Sequence, residues 1–358
     1  MIFSSFLSLS YKYILKPILF LFDAELVHDF FTKSGEMLEN YPKLVSSVFA
    51  YKNPKLLKKI AGITFDNPIG LAAGFDYDGH MATVMKHVGF GFNTVGTVTA
   101  IAYEGNAKPR LMRLPLSKSL LVNKGFKSGG ALVVRARLDS KNLIGHTIGI
   151  SVGSSNLPQI DSLTKAIADY LFTFKAFANR KYVKYFELNI SCPNIALKGA
   201  FSSKENFTKL CKAVKALKLK QPVFVKMASE MSFKESDMLV EIALKYGMKG
   251  VIFSNLVKDR TNKYLNIDEV QKISHLPGNF SGKPTFENSV KLIQHTRKKF
   301  GKDIVIIGTG GVFNASDAKA KFDAGADLIQ LITGMIYEGP QLIGQINQAL
   351  SRDYKDIL

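Results

Sequence analysis

Tryptophan is absent from this chain, and only two of its 358 residues are cysteine, Cys192 and Cys211. They form no CxxC pair, and no Cys/His pair has the spacing of metal ligands. A disulfide framework and a zinc module are therefore excluded, a reducing compartment is the default, and no metal is expected. Acidic residues are scarce: 29 Asp and Glu face 48 Lys and Arg, a formal net charge of +19. Such an excess points to anionic partners (phosphate, carboxylate, nucleic acid or a membrane surface), although a lysine-rich surface can also be a solvated face. Long apolar runs are missing too. Met1 to Phe22 is apolar and aromatic, but Lys12, Lys16 and Pro17 interrupt it. Nothing there reaches the ~18 apolar residues of a spanning helix. A signal peptide is disfavoured, because the stretch lacks a basic start and a small-residue cleavage site. No GxGxxG follows an early strand, which counts against a doubly wound dinucleotide fold.

What the N-terminus does hold is amphipathic. Tyr11 to Phe22 sets Tyr, Phe, Leu and Ile among lysines, the character of an interfacial segment, with a helix packed on the main domain as the plainer alternative. Asp23 to Tyr41 reads as a second helix, capped by Asp23, with Leu26, Val27, Phe30, Phe31 and Met37 at its apolar positions. Residues 1–50 thus form a small helical extension, Tyr51 to Lys59 reads as a basic linker, and residues 51–358 form the main domain.

In that domain strands and helices alternate. The strand-like runs are Ile63–Leu71, Phe92–Val98, Thr147–Val152, Tyr185–Ile190, Pro222–Met227, Gly250–Ser254, Asp303–Gly308 and Asp327–Ile332, and helical patterns separate most of them. About eight such units in roughly 300 residues read as a (β/α)8 TIM barrel, an α/β fold whose chemistry sits at the C-terminal ends of the strands. Those ends are unusual. The first strand runs into Gly70-Leu71-Ala72-Ala73-Gly74, small residues that admit a flat ligand. The fourth runs into Asn189-Ile190-Ser191-Cys192-Pro193-Asn194, a thiol between amides. Buried amides and thiols need partners. Lys226 ends an apolar strand, where a lysine needs a negative or electron-rich neighbour. The last two strands end in Gly308-Thr309-Gly310-Gly311 and Ile332-Thr333-Gly334, which fit a backbone cradle for phosphate. Lys108 to Lys141 is dense in Lys and Arg and reads as a solvated basic loop. Cys211, in a helical pattern, reads as a core residue.

Taken together, the spaced motifs Gly70–Gly74, Gly96-Thr97-Val98-Thr99, Gly105-Asn106 with Pro109-Arg110, Asn189 to Asn194, Gly250 to Asn255, Ser281-Gly282 and Gly310-Gly311 resemble the dihydroorotate dehydrogenase family. The likeness runs from about Asp23 to the C-terminus. The resemblance implies FMN as cofactor, held by Ala72, Ala73, Gly74, Thr97, Ser151, Asn189, Lys226, Ser254, Gly282, Gly310, Gly311, Ile332, Thr333 and Gly334. It implies Cys192 as catalytic base. It implies dihydroorotate or orotate as small-molecule ligand, bound by Asn123, Lys124, Gly125, Phe126, Asn189, Asn194 and Asn255. The helical extension is similar to that of the quinone-using class, with His28 and Arg113 at matching positions. That class implies a quinone partner, peripheral association with the cytoplasmic side of the cell membrane, and no nucleic acid.

The sequence also departs from the family pattern. A cysteine base is the habit of the soluble class, whereas the quinone class has serine. The lysine that follows the first-loop Asp in the family is Tyr77 here. The family's Asn-x-Met-Gly-Phe loop is Val122-Asn123-Lys124-Gly125-Phe126, and Leu256 replaces a hydroxyl residue after Asn255. Either Asn123 and Lys124 rebuild the carboxylate site, or the substrate differs. The alternatives are an FMN barrel acting on another pyrimidine, including dihydrouridine in RNA, or an FMN-binding barrel with a degenerate substrate site.

Overall fold

The computed structural model describes residues 2–191 and 199–352. Eight parallel strands close into a barrel in chain order: Ile69–Leu71, Phe92–Val98, Ile148–Val152, Val183–Asn189, Val223–Lys226, Gly250–Phe253, Val305–Thr309 and Leu328–Leu331. The near-continuous apolar runs of these strands match a sheet buried on both faces. Outward-facing residues such as Ile150, Phe186, Val225 and Val251 join the inner faces of the surrounding helices in the largest apolar cluster. Cys211 belongs to that cluster, fully buried on the Lys204–Ala216 helix, and burial pushes its thiol up to about 12.

One expected strand is two pieces. Ile63–Phe65 pairs antiparallel with Lys58–Ile60, and only Ile69–Leu71 enters the barrel. The break falls at Asn67-Pro68, where proline offers no amide hydrogen. Asn67 fixes the break: its side chain accepts from the Ile69 amide and donates to the Gly89 carbonyl, both at 3.0 Å. The hairpin plugs the N-terminal end of the barrel with Phe65, fully buried and packed edge-on against Phe92. The C-terminal end is left for the polar residues.

The extension is helical over Ile2–Phe20, with a wider turn at Tyr11–Leu15, then over Ala24–Leu38 and Pro42–Phe49. Asp23 caps the second helix as expected, accepting from the amides of Glu25 and Leu26. The third helix lies where no separate element was read. The stretch expected as a basic loop is also structured. Leu111–Leu114 and Ser119–Val122 form a small antiparallel sheet with Asn279–Phe280, and Ala131–Asp139 is a helix. Apolar side chains on one face of that sheet, Leu114, Leu121 and Phe280, bury against Leu265 and Ile273. That tertiary partner overrides the local polarity.

Candidate active site

Residues that end barrel strands come together at the C-terminal mouth. Asn189 and Lys226 are the last residues of neighbouring strands and stand opposite one another in register, both almost fully buried. Asn189 donates through Nδ2 to Thr97 Oγ1 at 3.0 Å, and Thr97 in turn shares a 3.0 Å hydrogen bond with Ser151. On the other side, Asn189 Oδ1 accepts from the amide and hydroxyl of Ser191, and Asn255 Nδ2 donates to Ser191 Oγ at 3.0 Å. A row of polar groups therefore crosses the mouth from Ser151 to Asn255. Ser254, beside it, donates to Ser229 Oγ at 3.2 Å. Each hydrogen bond offsets the cost of keeping these groups from water. Cys192 and Asn194 lie outside the described residues.

Small residues shape the rest. Gly282 has φ +78°, and a Cβ there would lie 2.3 Å from the Lys118 carbonyl oxygen and 2.8 Å from the Thr333 side chain. Thr333 is fixed beside it by a 2.9 Å bond between its hydroxyl and Ser281 Oγ. Gly311, φ +72°, passes so near Phe286 that a Cβ would sit 2.5 Å from that residue's own Cβ. Three backbone segments, around Gly282, Gly310-Gly311 and Thr333-Gly334, are thus packed edge to edge. Thr285 joins two of them: its hydroxyl donates to the Gly282 carbonyl, and it would meet any Cβ added at Gly310. This is a cradle that only small residues permit. Ala72 and Ala73 are buried where the first strand ends, and Ile332 lies within van der Waals reach of a Cβ placed at Gly74.

Over the mouth lies the loop Val122-Asn123-Lys124-Gly125-Phe126. Phe126 adopts φ +67°, a left-handed conformation that a bulky residue takes only when its surroundings impose it. The absence of a side chain at Gly153 lets the Phe126 ring close on Thr97, since a Cβ there would meet both at under 3 Å. Asn123 is buried, and its Oδ1 accepts from Asn106 Nδ2 at 3.1 Å. Asn106 Oδ1 accepts from Tyr103 and Asn156.

Glu25 reaches into this loop from the second helix of the extension. Its carboxylate takes a two-pronged bond from Arg110 at 2.7–3.1 Å, a 2.9 Å bond from Lys124, and an ion pair with Lys127 at 3.6 Å. Burial alone would raise its pKa, but the hydrogen bonds from Arg110 and Lys124 outweigh that and hold it at about 2. Lys124 Nζ also lies 5.1 Å from the centre of the Tyr77 ring. Burial and the nearby carboxylates push the Tyr77 hydroxyl well above its ordinary range, so that it stays neutral.

Beside this cluster a cavity of about 260 Å³ opens between the helical extension and the barrel. Its lining is mostly apolar, from Phe20, Val27, Phe31, Phe49, Met81 and Met335, with Tyr11, His28, Ser34 and Arg113 as its polar members. His28 Nε2 is 2.7 Å from the carbonyl of Phe75, and Arg113 donates to the Phe22 carbonyl at 2.7 Å while lying over the Phe20 ring. Phe75 directly follows Gly74, so the cavity ends at the first loop of the mouth.

A sequence profile of the dihydroorotate dehydrogenase family matches residues 55–353. The chain belongs to the dihydroorotate dehydrogenase family. Among curated members, the dihydroorotate dehydrogenase (quinone) of Christiangramia forsetii is 35% identical over 350 residues, covering 95% of this chain and 98% of its own. The one from Rhizobium meliloti is 35% identical over 343 residues, covering 93% and 89%. The crystal structure of the Eimeria tenella enzyme in complex with ferulenol superposes with a TM-score of 0.79 at 25% identity, over 94% of each chain.

Sequence reasoning missed Ser191, Ser281, Asn106 and Glu25 as parts of the site. Ser191 and Asn106 stood inside motifs already noted, in polar neighbourhoods that needed partners. Glu25 carried a weaker signal: a stretch nearly free of acids, Lys108 to Lys141, must find its countercharge elsewhere in the chain.

Proposed function

We propose that this protein oxidises dihydroorotate to orotate, a step of pyrimidine (UMP) biosynthesis, using FMN and passing the electrons to a membrane quinone. The observation that carries the reading is the joining of two spaces at one loop. A small-residue cradle with a polar row lies on one side of Ala72–Phe75, and an apolar cavity holding His28 and Arg113 lies on the other.

The donor set fits FMN. The packed turns at Gly282, Gly310-Gly311 and Thr333-Gly334 suit the phosphate, and Ala72, Ala73 and Gly74 admit the flat ring. Thr97, Ser151, Asn189, Ser254 and Ile332 border it, and Lys226 offers a cation that stabilises negative charge. When bound, FMN supplies a two-electron acceptor able to deliver electrons onward to a quinone.

The rest falls to the chain. Asn189, Asn194 and Asn255 hold the pyrimidine edges, and the Asn123–Phe126 loop covers the ring. Cys192 removes the proton from ring carbon C5, for which a thiol with a reference pKa near ~8.5 is a better base near neutrality than a hydroxyl. Ser191, tied to both Asn189 and Asn255, anchors the chain that carries Cys192.

Residues 1–50 serve as the membrane-associating, quinone-admitting layer and residues 51–358 as the FMN barrel. Supporting this division, the helical layer exposes Tyr13, Ile14, Ile18, Leu21, Phe22, Leu26 and Phe30 to solvent. Among the described residues no helix is long and apolar enough to cross a membrane. That surface and the basic charge support peripheral attachment at the cytoplasmic face.

The test is anaerobic. Purified protein should show a flavin spectrum that bleaches when dihydroorotate is added and returns when a quinone is added. No bleaching by dihydroorotate overturns the substrate, and bleaching without recovery overturns the acceptor.

A further inference from the structure

We infer that Lys124 is the residue that pairs with the carboxylate of the substrate, and that Glu25 is the counter-ion that holds Lys124 in place when no substrate is bound. The inference rests on the dihydroorotate reading and assigns specificity within that site.

The argument begins with one over-shared carboxylate. Arg110 engages both oxygens of Glu25, so the Oε1 atom that Lys124 uses is already taken up by the guanidinium. Lys127 stands at 3.6 Å from the same oxygen. Asp29 is more distant and half exposed, and its close partner is His28. Lys124 is 5% exposed, and burial lowers its pKa despite the bond to Glu25. A buried ammonium with three donors and a share of one oxygen is under-compensated, and a second carboxylate supplies what it lacks.

Position supports the same assignment. Lys124 lies between Asn123 and Phe126, in the loop that closes on Thr97, and its ammonium sits over the face of Tyr77 in the first-strand loop. Tyr77 carries no positive charge and offers an anion only its phenol O–H. Lys124 therefore brings a cation beside position 77, which itself provides none. Glu25 arrives from a helix whose Val27, His28 and Phe31 line the apolar cavity, so one helix serves both the cavity and the loop.

The experiment compares the flavin-loaded full chain with Lys124→Met and with the double variant Tyr77→Lys/Lys124→Met, which moves the cation across the contact. The readouts are KM for dihydroorotate, kcat, and orotate affinity from the flavin spectrum, with 5,6-dihydrouracil as a probe lacking the carboxylate. Lys124→Met should raise KM and the orotate Kd by about a hundredfold, the scale of a lost charge-assisted pair, with a much smaller change in kcat. Weak binding of 5,6-dihydrouracil should be unaltered, and the double variant should recover most of the orotate affinity. An unchanged KM in Lys124→Met overturns the assignment while leaving the dihydroorotate reading intact. Failure of the unaltered protein to bleach with dihydroorotate overturns that reading instead. Should Lys124→Met not retain flavin, the double variant decides: recovered flavin without recovered orotate affinity makes Lys124 structural and overturns the proposal.

Discussion

The barrel mouth and the helical extension solve opposite problems with buried and exposed groups. At the mouth, polar side chains are hidden from water and satisfied by one another, as in the row from Ser151 through Thr97, Asn189 and Ser191 to Asn255. In the extension, apolar side chains are left in water: Tyr13 is 75% and Leu21 84% exposed. Exposed apolar surface costs free energy in the isolated chain, and a polar row at strand ends serves little purpose in packing, so each points to something that binds there. A small polar ligand suits the first, and an apolar phase suits the second. The contrast also shows where the two regions touch. Glu25 is the one buried carboxylate that the extension inserts among Arg110, Lys124 and Lys127.

The largest effect should come from breaking the mouth alone. Cys192→Ala should lower turnover about 10²–10⁴-fold, the usual worth of a positioned base, while flavin content stays unchanged. Near-normal turnover in that variant would sink the base assignment. Next is the ion-pair cluster between the regions. Arg110→Met leaves Glu25 buried against fewer cations and should cost about 3–5 kcal/mol of stability, the scale of a broken buried pair, measured by denaturant unfolding.

Separating the two regions is subtler. Removing residues 1–22, which spares Asp23 and Glu25, should abolish quinone reduction but leave flavin reduction by dihydroorotate intact. Removing residues 1–49 takes Glu25 as well and should impair both half-reactions. Equal effects of the two deletions would show that Glu25 is irrelevant to the mouth.

The ion-pair cluster also carries a pH signature. Glu25 has a folded pKa of about 2 against an ordinary 4.5. A depressed carboxylate stabilises the fold above its unfolded pKa and loses that contribution as pH falls from 4.5 toward 2. Glu25→Gln should therefore flatten the acid limb of a Tm-versus-pH curve, and an unchanged limb would show that the ion pair contributes nothing. The smallest expected change in the protein itself comes from the exposed face. Leu21→Ser should alter stability by no more than about 0.5 kcal/mol, yet reduce partitioning onto anionic vesicles about tenfold, the worth of one buried leucine. Unaltered partitioning would count against the membrane-facing role.

Much of the architecture was legible from pattern. Apolar runs separated by amphipathic helices specify a parallel barrel, because a sheet covered on both faces needs apolar residues on both. The ends of those runs marked Thr97, Asn189, Lys226 and Gly310-Gly311, since polar and small residues at strand ends serve little purpose in packing. Less legible was the Lys108 to Lys141 stretch, where charge density hid a small sheet whose apolar face is covered by residues more than a hundred positions away.

The sequence by itself determined the barrel, the family and the small-residue cradle, because periodicity, strand-end chemistry and glycine placement are local properties written every few residues. Only the tertiary structure decided that Arg110 and Lys124 are buried rather than solvated, that Ser191 and Asn106 belong to the site, and that Lys124 faces Tyr77. Those facts depend on contacts across the fold: Glu25 lies 85 and 99 residues from the cations it holds. Charge compensation in a buried site is a property of the folded neighbourhood, and no local pattern encodes which distant carboxylate will supply it.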